Sequence, residues 1–80
     1  MKISTQYRIE RLKREKEMAG RKLRYVMVKM NYWQNKQRIE SNGLLRKKYR
    51  GKRDFFATEA GRLHGEVQQI ILRISKLERN

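Results

Sequence analysis

Eighty residues, 38% of them hydrophobic and 38% charged, hold one domain at most and little apolar material for a globular core. The lack of cysteine excludes a disulfide framework and a thiolate metal site, and the lack of proline leaves long uninterrupted helices open to the chain. Twenty-two Lys and Arg stand against eight Asp and Glu, a net charge of +14; in so short a chain this points to a polyanionic partner, usually nucleic acid.

The opening residues, MKISTQYRIE, lack the apolar stretch of a signal peptide. Ser4 and Thr5 are candidate caps for a first helix. From Ile9 the apolar positions step by three and four through Leu12, Ala19, Leu23, Val26, Met30 and Trp33, with Lys16 as the one polar interruption. That spacing predicts a continuous helix over about 5–40 with a heptad seam along one side.

A second stripe on the same helix runs through Arg11, Arg14, Met18, Arg21, Tyr25, Val28, Tyr32, Asn35 and Ile39, roughly opposite the first. The stretch RYVMVKMNYWQNKQ therefore divides. Val26, Met30 and Trp33 belong to the seam, whereas Tyr25, Val28 and Tyr32 point away from it. A solvated face seldom carries Met, Tyr, Val, Tyr and Ile at heptad intervals, so Met18, Tyr25, Val28, Tyr32 and Ile39 are candidates for a protein interface. Stacking and phosphate pairing on nucleic acid is the competing reading of the tyrosines. Arg11, Arg14, Arg21 and Arg24 suit an anionic surface.

Ser41-Asn42-Gly43 predicts a turn, because asparagine and glycine tolerate the left-handed conformation that terminates helices. Beyond it, Phe56, Ala60, Leu63, Val67, Ile70, Ile74 and Leu77 repeat the 3-4 spacing and predict a second helix over about 44–78, weakened or bent at Gly51. The expected fold is all-α: two long helices in an antiparallel, coiled-coil-like hairpin that dimerises or docks on a partner. Folding about Asn42 sets Trp33 against 51–56 and Ile9 near Ile74. The longest apolar runs, such as Ile70-Ile71-Leu72, are far short of the ~20 residues of a membrane span. A cytoplasmic location is the expectation.

The charge is unevenly spread. Six of the eight residues in RKKYRGKR are basic: Arg46, Lys47, Lys48, Arg50, Lys52 and Arg53. Residues 54 to 80 balance four basic against four acidic side chains. A run this dense repels itself unless phosphates meet it, and its place beside the turn makes it a basic tip. Gly61 and Gly65 form a GxxxG pair off the seam, a weak signal in a chain of this composition. His64 stands alone, with no ligand spacing around it, and Glu17 with Arg21 and Glu59 with Arg62 are spaced for intrahelical ion pairs.

No phosphate loop and no nucleophile with a matching base can be traced, so the chain is expected to be non-catalytic, without metal or cofactor. The first functional expectation is a small basic protein that binds RNA or DNA, or a nucleoprotein, through the tip and the arginine face. The alternatives are a protein-binding regulator that docks on a nucleic-acid enzyme or ribonucleoprotein, of the kind phage or mobile elements use, and a structural coiled-coil component. A homodimer or a helical protein partner is the expected assembly.

Overall fold

A computed structural model describes residues 2–79. Helix α1 spans Ile3–Ile39 and helix α2 spans Gly43–Arg79. They pack against each other as an antiparallel hairpin 61 Å long and only 14 by 12 Å across. Each helix has 37 residues, about 55 Å at 1.5 Å per residue, so the two are matched in length. Among the described residues, no helix is long and apolar enough to cross a membrane.

The helix starts and stops differ from the sequence expectation in their chemistry. At the start of α1, Lys2 occupies the cap position with extended backbone and no side-chain cap bond. Ser4 and Thr5 lie inside the first turn instead. At the other end, Glu40 leaves the helix in an extended conformation, φ −81° and ψ 128°, and no described residue has positive φ. The turn therefore closes without a left-handed residue.

Asn42 works forwards rather than backwards. Its Oδ1 accepts from the backbone N–H groups of Leu44 at 3.0 Å and Leu45 at 3.2 Å, the first-turn donors that lack carbonyl partners within a helix. The Glu40 carboxylate accepts from the Asn42 N–H at 3.0 Å. Two side chains thus tie a three-residue link. Beyond it, α2 runs unbroken through Gly51.

The seam carries the core. Ile9 (2% exposed), Ala19, Leu63 (3%) and Ile74 are buried. Leu12, Leu23, Val26, Met30 and Trp33 on α1, with Tyr49, Phe56, Ala60, Val67, Ile70 and Leu77 on α2, are half-buried. Lys16 keeps to solvent. Trp33 shares a hollow with Gly51, Lys52, Phe55 and Phe56, as folding about Asn42 sets it, and its ring centroid also lies 5.6 Å from that of Tyr49; further along, Val26 borders the same hollow as Leu63, and Leu12 the same hollow as Leu77. Two helices bury only one stripe of each other, so every other row of side chains faces outwards.

Candidate nucleic-acid interface

At the turn end, Arg46, Lys47, Lys48, Arg50 and Lys52 are exposed, and Arg46, Lys47 and Arg50 line a shallow hollow with Gly43. Ion pairs among the described residues engage Arg11, Arg21, Arg53 and Arg62, and none of these five. Arg53 is the exception in the basic run, half-buried and paired to Asp54 at 2.7 Å. The ammonium of Lys52 lies 4.4 Å from the Trp33 ring centroid, within cation–π reach, and that of Lys36 lies 5.7 Å from the Tyr49 ring. These contacts fold cationic side chains onto aromatic rings without neutralising them.

The larger feature is a groove between the helices on one face. Near the open end it is lined by Arg8, Arg11, Glu15, Arg73 and Lys76. Midway it is lined by Arg21, Lys22, Tyr25, Glu59 and Arg62, and towards the turn by Tyr25, Lys29, Trp33, Lys48, Lys52 and Phe55. These hollows share a face because their residues recur at steps of seven. On α1 the row is Arg8, Glu15, Lys22, Lys29 and Lys36; on α2 it is Lys48, Phe55, Arg62, Gln69 and Lys76. Ten basic side chains line the three hollows against two acidic ones, so the lining is predominantly basic, strongest towards the two ends, whereas midway Arg21 and Arg62 are paired to Glu17, Glu59 and Glu66.

Arg62 is the most constrained cation in the groove. Its guanidinium donates to Glu59 at 3.0 Å and to Glu66 at 2.6 Å. The hydrogen bond to Glu59, then the charges of Glu59 and Glu66, hold its pKa above the ordinary guanidinium value. Arg62 is thereby committed to carboxylates of its own helix.

The arginines named from the first helix do not form one surface. Arg11, paired to Glu15 at 3.5 Å, and Arg21, paired to Glu17 at 2.8 Å, line the groove. Arg14 and Arg24 are exposed, but Arg24 is turned about 100° from its neighbour Tyr25 and points elsewhere. Of the apolar stripe, Met18, Tyr25 (61%), Val28 (66%), Tyr32 and Ile39 (77%) are all exposed. Tyr25 carries Lys29 at 5.7 Å and Tyr32 carries Lys36 at 5.5 Å, with the Tyr32 ring edge-on to Trp33 at 4.9 Å. The stripe itself divides: Tyr25 borders the groove, whereas Val28 sits on the back of the helix.

Sequence reading missed Phe55, whose ring is 61% exposed and stands edge-on to Phe56 at 5.2 Å. Its neighbour Phe56 fits the seam spacing and Phe55 does not. The seven-residue step from Lys48 to Phe55 to Arg62 was the available signal, along with the matching step from Lys22 to Lys29. The GxxxG pair and His64 are exposed, and a Cβ built on Gly61 or Gly65 meets nothing within 4 Å. No protein-family model, curated protein or solved structure matches this chain.

Proposed function

We propose that this protein is a non-catalytic nucleic-acid-binding hairpin that holds the phosphate backbone along its basic groove and at its turn tip. The observation that carries the reading is the groove itself: lysines and arginines from both helices line one face for most of a 61 Å rod, continuing into a tip where Arg46, Lys47, Lys48, Arg50 and Lys52 have no acidic partner among the described residues. Phosphate contacts of this kind position a nucleic acid without reading its sequence. Each one releases condensed counterions, so affinity falls steeply with salt.

Binding of labelled RNA and DNA followed from low to moderate salt tests the proposal. The expected slope of log K against log salt is about −0.7 to −0.9 for each phosphate neutralised. Replacing Arg46, Lys47 and Arg50 by glutamine should flatten it by roughly two to three units. Binding that is absent, or indifferent to salt, defeats the reading.

A second reading has its own observation. Val28 and Ile39 are exposed on α1 away from the groove, where phosphate recognition gives apolar side chains nothing to do. They suit a protein partner, such as a nucleic-acid enzyme or ribonucleoprotein, docked on the Tyr25, Val28, Tyr32 and Ile39 stripe rather than on the tip. In that case Tyr32→Ala and Val28→Ala weaken capture of the partner, while the glutamine substitutions at the tip leave it intact.

A further inference from the structure

The groove lining is mostly basic, and towards the turn it carries aromatic surface as well. Tyr25 from α1 and Phe55 from α2 border a hollow whose wall includes Trp33, and Lys29, Lys48 and Lys52 surround it. Tyr25 and Phe55 lie off the packing seam and are largely exposed, so burial in the hairpin does not explain them. An aromatic ring left in water forgoes most of the free energy that its burial would supply. Exposure of two such rings in one hollow therefore calls for an occupant with a flat apolar face, and the three ammonium groups call for a neighbouring negative charge.

We infer that the hollow between Tyr25 and Phe55 is a stacking site for an unpaired nucleobase, with its flanking phosphates held by Lys29, Lys48 and Lys52, so that the protein selects single strands over duplex. This rests on the nucleic-acid reading above and sharpens it. In a duplex the base faces are stacked on one another and only the phosphates would reach the lysines. A single strand presents each π-face beside its phosphate, and stacking on aromatic side chains tolerates any base. A second copy of this chain is a poor occupant, because it carries the same +14 charge towards the same three lysines. An apolar protein surface would strip water from those lysines without pairing them.

The test compares three labelled probes of equal length at one salt concentration: a deoxythymidine oligomer, its duplex with a deoxyadenosine oligomer, and an abasic oligomer. The expected result is that the single strand binds about tenfold more tightly than either of the others. Phe55→Ala and Tyr25→Ala each remove about tenfold from single-strand binding and leave the duplex affinity and the salt slope unchanged, whereas Phe55→Tyr retains the preference. Emission from Trp33, the single tryptophan, falls on addition of the thymidine oligomer and not of the abasic one. Helical circular dichroism of Phe55→Ala serves as the folding control, since the ring lies outside the seam.

Equal affinity for the three probes, or an unaltered preference in Phe55→Ala, overturns the stacking site; the function proposed above survives if that binding is salt-sensitive. Failure of all three probes to bind, with an acidic polyglutamate chain bound in their place, overturns both.

Discussion

Leu63 and Phe55 lie eight residues apart on α2 and answer to different forces. Leu63 is held in the seam against α1, and its truncation leaves a space that two straight helices close poorly. Leu63→Ala should cost about 2–4 kcal/mol in urea unfolding followed by circular dichroism. Phe55→Ala should cost less than about 0.5 kcal/mol in the same measurement, because an exposed ring leaves no cavity. A large loss there would mean that the ring packs the hairpin after all. Arg62 illustrates a third situation: it stands in solvent, and its bonds to Glu59 and Glu66 hold its pKa above the ordinary guanidinium value. Across working pH, its charge in the groove is constant.

The two helices owe their existence to periodicity and their junction to two side chains. Asn42→Ala removes the acceptor for two first-turn donors of α2 and should cost about 1 kcal/mol, read as a lower urea midpoint at unchanged slope. Gly61→Ala acts in the opposite sense: the backbone is helical, the space is open, and the expected stabilisation is about 0.5–1 kcal/mol. The seam from Ile9 to Leu77 was legible in the sequence because burial in a helix pair depends on a seven-residue step, which survives the Lys16 interruption. The cap of α1 was not, because Ser4 and Thr5 are as compatible with a first turn as with a cap. Nor was the role of Asn42, since asparagine beside glycine suits the end of one helix and the start of the next equally well. The groove was hidden for a different reason: it is made by flanking rows from both helices, and each row, read along its own helix, is only a series of charged side chains with an occasional ring.

At the scale of the whole rod, charge is the governing quantity. Glu59 and Glu66 occupy the groove edge of α2 and hold Arg62. Changing both to glutamine frees that guanidinium and makes this stretch of the groove more uniformly positive, so polyanion affinity should rise and the salt slope should steepen by about 0.7–0.9 for each further phosphate neutralised. Titration of a labelled oligomer at several salt concentrations checks this; unchanged affinity would place the bound phosphates elsewhere. The matched lengths of α1 and α2 have a practical corollary. Ile3 and Arg79 sit at the same extremity of a 61 Å rod, with the turn at the other. Any passenger joined beyond either residue, whether a dye, a bead or a fused protein, is held most of the rod's length from the tip. The hairpin is thus a ready-made spacer, immobilised by one extremity with its basic extremity left free.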